Sequence, residues 1–127
     1  MPGASEALKN ESYISLETFK KDGGGVKTPV WFVDIDGIFY VFTDGSSFKV
    51  KRLSRNPKAR IAACNARGAV HGDWFEATGE IVSQPDVEQK AYAALQKKYG
   101  FMMSLITLGA KISGSFKRRK ILALRAV

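Results

Sequence analysis

"VKTPVWFVDIDGIFYVFT", residues 26–43, decides the architecture. A run of β-branched and aromatic residues lies on either side of Asp36-Gly37, and that is the composition of pleated strands. Asp-Gly suits a two-residue type I′ turn, because both central residues take positive φ there. Residues 26–34 and 38–43 therefore read as two antiparallel strands joined by a tight hairpin. Pro29 has no N–H to give to a ladder, so the first of them is expected at a sheet edge or an irregularity.

Working outward, "SYISLETF" (12–19) sets Ile14, Leu16 and Thr18 against Tyr13, Ser15, Glu17 and Phe19, the period of a strand. "KKDGGG" (20–25) links it to the hairpin as a turn. "SEALKN" (5–10) reads as a short helix capped by Ser5. Downstream, "KARIAACN" (58–65) and "WFEATGEIV" (74–82) are strands, with a bulge expected at Gly79. "SQPDVEQKAYAALQKKYG" (83–100) is the clearest helix. Ser83 is its expected cap, Pro85 sits in its first turn, and Gly100 stops it. Val87, Ala91, Ala94, Leu95 and Tyr99 recur at helical spacing along it. Residues 101–119 have a helical start and a glycine-broken end, and "KILALRAV" (120–127) is a closing strand. The sum is one domain over residues 1–127. It is mainly β with a few helices: a six-stranded antiparallel barrel.

The hairpin leads into "TDGSSFKVKRLSRNP", residues 43–57. Ser46 or Ser47 would cap a short helix over 47–54 that Asn56-Pro57 terminates. The first N–H groups of a helix are unpaired and attract anions together with the helix dipole. Lys49 and Arg52 share one face of that helix, and Lys51 and Arg55 another. The stretch can hold a phosphate, although short basic helices are also common as solvated surface.

The rest of the chain narrows the chemistry. The net charge is +8, with Lys111, Lys117, Arg118, Arg119 and Lys120 crowding one late segment. An anionic partner is favoured. No apolar run reaches the ~18 residues of a membrane span, and no leader peptide is evident, so a cytoplasmic protein is expected. His71 is the sole histidine and Cys64 the sole cysteine. A histidine-based metal site or a Ser-His-Asp triad therefore has little support, and Cys64 reads as an inert core thiol. No GxxxxGK[ST] or GxGxxG occurs. Trp31 and Trp74 fit either a core or the face of a planar ligand, and the core is the commoner place. With no evident protein acid, base or nucleophile, catalysis would belong to a bound cofactor.

Taken in order, "VKTPVWFV", "FTDGSSFKVKRLSRNPKARIA", "EATGEIV" and "ALQKKYG" resemble the flavin-binding split-barrel proteins of the pyridoxamine 5′-phosphate oxidase-like superfamily. The nearest likeness is to its small branch of F420-dependent enzymes. The most specific piece is the set Thr43, Ser47, Lys49, Lys51, Leu53, Asn56 and Pro57. The resemblance implies a homodimer of six-stranded split barrels with cofactors between the subunits. It places the cofactor phosphate on Ser47 and Lys49 with Lys51 or Arg52, and Thr43 closing that end. It lays Thr28, Pro29, Val30 and Trp31 along the cofactor ring. The oxidases carry a further substrate-binding C-terminal region, whereas this chain ends after its last strand, so vitamin B6 oxidation is not expected; Phe48 stands where they carry a basic residue, which implies one phosphate contact fewer. FMN and the deazaflavin F420 both remain open, and the positive charge suits the acidic tail of F420. The function expected is a flavin- or F420-dependent oxidoreductase acting on a small organic substrate. A flavin carrier without turnover is the alternative. A nucleic-acid-binding barrel is a more distant one, because the aromatics follow core alternation rather than an exposed platform.

Overall fold

The computed structural model describes residues 3–45, 47–100 and 119–127. Its elements run α1 (Ala4–Ala7), β1 (Tyr13–Phe19), β2 (Gly25–Val30), β3 (Phe32–Ile35), β4 (Ile38–Asp44), α2 (Phe48–Arg55), β5 (Lys58–Cys64), β6 (Phe75–Ile81), α3 (Pro85–Tyr99) and β7 (Arg119–Ala126). The strands form one sheet in the order β2-β1-β5-β6-β7-β4-β3, and every ladder is antiparallel. Apart from Arg119, the stretch 101–119 lies outside the described residues. So do Lys111, Lys117 and Arg118.

Seven strands stand where six were expected, and Trp31 is the reason. The run 26–34 is not one strand. β2 and β3 occupy opposite edges of the sheet and are joined by that single residue. Consecutive Cα atoms are only ~3.8 Å apart, so one intervening residue forces the two edges together. The sheet must therefore curl until its edges meet, which makes the split barrel. β2 is an edge strand, as Pro29 requires. Asp36 and Gly37 have φ of 54° and 86°, the two positive values of a type I′ turn.

Ladder register decides which side chains face inward, because successive residues alternate between faces. Ile14, Leu16, Val30, Phe32, Phe39, Val41, Ala59, Ile61, Leu122 and Leu124 fill the barrel. Ala4 and Leu8 join that cluster from the N-terminal segment, and Leu53 joins it from α2. The outer face of β4 and β7 carries a second cluster, in which Tyr40, Ile121 and Ala123 pack with Ala91 and Leu95 of α3. The outer face of β1 is also closed to water: Ser15 and Glu17 are buried, although alternation alone marks them for solvent. Arg60 holds Glu17 at 3.0 Å, and Trp74 lies over the Arg60 guanidinium at 4.8 Å.

Three local expectations are corrected. The cap residue of α1 is Gly3, not Ser5, and that of α3 is Gln84, not Ser83; neither makes a side-chain cap bond. In α3 the start is instead set by Pro85, whose fixed φ and missing N–H suit the first helical position without a capping hydroxyl. Gly79 is no bulge, since the β6–β7 ladder runs through it in register. A Cβ there would stand 2.9 Å from Leu124 Cδ2 and 3.0 Å from Leu53 Cδ2. The glycine is there because α2 packs down onto β6 at that point.

Candidate functional site

An open cleft of about 290 Å³ is lined by Tyr13, Pro29, Val30, Trp31, Phe42, Thr43 and Lys49. It lies where the β2–β3 crossing meets the end of β4 and the start of α2. Each element brings its residues for a local reason. The crossing supplies Val30 and Trp31, because the chain changes edges there. β4 supplies Phe42 and Thr43 from its last turn of alternation before Asp44-Gly45. The helix supplies Lys49 from its first turn.

One end of the cleft is polar. Thr43 Oγ1 lies 3.3 Å from Ser47 Oγ, and Ser47 Oγ accepts a hydrogen bond from the Val50 N–H at 3.4 Å. Ser47 is thus the N-cap of α2, one of the two serines the sequence offered. Burial, and secondarily the Arg52 guanidinium, hold the Lys49 ammonium below the ordinary lysine range. Both effects penalise the charged form, and an anion placed beside it would offset them. The other end is a wall of Pro29, Val30 and Trp31. The Trp31 indole is stacked on the Tyr99 ring, with centroids 4.3 Å apart and planes at 6°.

The structure brings together five of the nine residues singled out in the sequence: Pro29, Val30, Trp31, Thr43 and Lys49. Ser47 stands directly behind Thr43. Three do not line the cleft. Thr28 pairs with Leu16 and so faces the barrel interior, where its hydroxyl is buried and has no partner among the described residues. Arg52 Nη1 donates to Thr18 Oγ1 at 3.4 Å, which draws it toward β1. Lys51 is exposed, and its ammonium sits 5.2 Å from the Phe48 ring centroid. Tyr13 and Phe42 line the cleft and were read only as strand residues. Lys120, read as part of the late basic run and as the start of the closing strand, pairs directly with Thr43 and emerges on the same face of the sheet.

A family model described as pyridoxamine 5′-phosphate oxidase matches residues 2–127, so the chain belongs to that family. No curated protein matches the sequence. Among solved structures the chain is similar to HutZ, a heme storage protein from Vibrio cholerae: identity 14%, TM-score 0.72, covering 97% of this chain and 87% of that one. It is also similar to protein Rv2991 from Mycobacterium tuberculosis, with 19% identity, TM-score 0.71, and coverage of 99% and 84%. A third similar structure is an F420 reductase, with 15% identity, TM-score 0.61, and coverage of 100% and 96%. At these identities the likeness is one of fold, the curled antiparallel split barrel. The family and its neighbours span redox enzymes and a storage protein, so the activity has to be argued from the cleft.

Proposed function

We propose that this family member binds a flavin-type cofactor, FMN or F420, in the cleft and acts with it as an oxidoreductase on a small organic substrate. The observation that carries the reading is Lys49: a half-buried ammonium with a depressed pKa, at the polar end of a cleft whose other end is apolar and aromatic. The donors fit a phosphate. Lys49, the Thr43 and Ser47 hydroxyls and the start of α2 would hold it by charge-assisted hydrogen bonds. Pro29, Val30 and Trp31 fit a flat ring and would keep water from one side of it. When bound, such a cofactor supplies hydride transfer. Among the described residues, the protic side chains lining the cleft are Tyr13, Trp31, Thr43 and Lys49, and the contribution proposed for them is to bind, orient and exclude water. The net charge of +8 supports F420, whose tail adds carboxylates to its phosphate. Lys120, beside Thr43, would lie on the path of that tail.

The same reading has two copies completing two equivalent clefts, with the protein working in the cytoplasm. Light scattering at micromolar concentration should report twice the chain mass. The functional test is titration of the purified protein with FMN, with F420 and with hemin, after recording the absorbance spectrum and mass of anything that copurifies. Saturable binding of FMN or F420, followed by turnover of the reduced cofactor with an acceptor, supports an enzyme. Binding without turnover makes the protein a carrier. Binding of hemin alone overturns the reading.

A further inference from the structure

Tyr99 closes α3 in the run "KKYG", and the binding scheme above gives it no task. Its phenol hydroxyl accepts a hydrogen bond from the Phe32 N–H at 3.0 Å. It has one proton of its own, with the Ser12 carbonyl at 2.9 Å and the Phe32 carbonyl at 3.0 Å. The Phe32 carbonyl also accepts from Lys98 Nζ at 2.9 Å, and the Ser12 carbonyl is the nearer acceptor for the Tyr99 proton. The hydroxyl thus ties the residue after Trp31 to the residue before β1. Trp31 itself belongs to no strand, so no ladder bond fixes it. Its indole packs against the outer cluster and takes the Tyr99 ring flat on one face, while Tyr99 also tethers the neighbouring Phe32. Burial pushes the phenol pKa up to about 12, so the hydroxyl keeps its proton at ordinary pH.

We propose that Tyr99 is a positioning residue: it sets the Trp31 indole as the ring-side wall of the cleft and thereby tunes the grip on a planar heterocycle. The inference rests on the cofactor reading above, in which Trp31 faces the ring. A planar ligand stacks or abuts well only against a wall held in one orientation, and a free indole would have to be ordered at the ligand's expense. Phosphate, held at the Lys49 end, gains nothing from Tyr99. The two ends of the cleft can therefore be tested separately.

The experiment compares Tyr99→Phe and Tyr99→Leu with the unsubstituted protein, using riboflavin, FMN and inorganic phosphate as probes. Trp31 is followed by its emission in a Trp74→Phe background. Should that background fold poorly, the indole ¹⁵N signals of the otherwise unsubstituted chain report the same thing. Tyr99→Leu removes stack and tether, and an aromatic pair is worth ~0.5–1.5 kcal/mol, so riboflavin and FMN should each bind about 2- to 12-fold more weakly. Inorganic phosphate should bind within about twofold of before, on the premise that the Lys49 end is independent of the stack. Trp31 emission should shift to the red in the ligand-free protein. Tyr99→Phe keeps the stack and should lose less. If Tyr99→Leu weakens phosphate as much as riboflavin, Tyr99 is only structural and the proposal falls. If Trp31 emission and riboflavin affinity are both unchanged, it falls as well. An unsubstituted protein that binds phosphate but neither riboflavin, FMN nor F420 overturns the cofactor reading instead, and an emission shift on Tyr99→Leu then still marks the indole as set by Tyr99.

Discussion

Replacing Lys49 with methionine separates binding from folding, because the two should respond with opposite signs. The side chain keeps its length and apolar stem and loses only the charge. In the ligand-free protein that charge is half-buried, desolvated and repelled by Arg52. Removing it should leave stability unchanged or slightly raised. Toward a phosphate ligand the charge contributes a charge-assisted hydrogen bond, worth about 1.5–3 kcal/mol. At ~1.4 kcal/mol per tenfold, Lys49→Met should weaken FMN and F420 by about 10- to 150-fold.

The pH dependence follows from the same numbers' signs. The folded chain holds the Lys49 proton less tightly than the unfolded chain, whose lysine titrates near 10.5. Between the depressed value and 10.5 the unfolded state binds more protons, so this residue makes stability rise with pH in that window. Ligand affinity moves the other way, since it needs the protonated form. It should decline as pH passes the depressed value, below the ordinary lysine range. Isothermal titration against both cofactors across pH, with thermal melts of the same samples, reads both trends. Equal affinity in Lys49→Met and the unsubstituted protein would show that the phosphate is held elsewhere. A melt lowered by several degrees would show that Lys49 serves the fold.

Three further changes probe the frame around the cleft. Gly79→Ala places a methyl against Leu53 and Leu124 and should cost about 1–3 kcal/mol by overpacking, read by urea denaturation; because Leu53 anchors α2, cofactor affinity should fall with it. Arg60→Met leaves the Glu17 carboxylate, 6% exposed, without its 3.0 Å partner, and should destabilise by about 1–3 kcal/mol, whereas Glu17→Gln with Arg60 intact should cost less. Lys98 is exposed as a residue, yet its ammonium lies 3.6 Å over the Phe32 ring and its pKa falls to about 8, chiefly through burial, against 10.5 unfolded. Its folded pKa is lowered, so stability should rise between pH 8 and 10.5, and Lys98→Met should flatten that rise in denaturant titrations.

The parts of this protein legible in its sequence are those governed by local chemistry. Asp36-Gly37 announced its turn, because only a few residue pairs accept two positive φ values. Ser47 and Asn56-Pro57 marked the ends of α2 within a residue, since a cap acts on its own backbone. The missing N–H of Pro29 pointed to an edge or an irregularity, and an edge is where it lies. Long-range packing was not legible. Nothing local distinguishes a strand that continues through Trp31 from one that changes edges there, so the count of strands came out one short. The burial of Ser15 and Glu17 was hidden for the same reason: alternation reports which residues share a face, not whether the second face is covered. Of the residues singled out in the sequence, those at both ends of the cleft line it and three others do not. Three cations on a one-turn spacing look equivalent in a string, but only Lys49 of the three lines the cleft, while Arg52 reaches Thr18 and Lys51 lies by Phe48.

Why the cleft lies at the seam is itself a consequence of how the barrel closes. A sheet edge presents unpaired N–H and C=O groups, and a closed barrel removes them by pairing its two edges. Here the edges cannot pair along their length. Pro29 has no N–H to offer, β3 is four residues long, and one residue joins the strands, so they meet at a corner instead of in a ladder. The corner leaves a gap, and the gap is bounded by whatever the chain places at the crossing and at the strand ends beside it. Trp31 is at the crossing, and Phe42 and Thr43 are at the end of β4. The cap of α2 follows immediately, because a hairpin strand leaving the sheet at Asp44 has to turn before Phe48. The apolar wall and the anion-attracting helix start are thus juxtaposed by topology alone. The same arrangement assigns distinct tasks to neighbouring residues: substitutions at the crossing should alter the grip on a ring, those at the start of α2 the grip on a phosphate, and the two effects should add when combined, because the sets share no hydrogen bond.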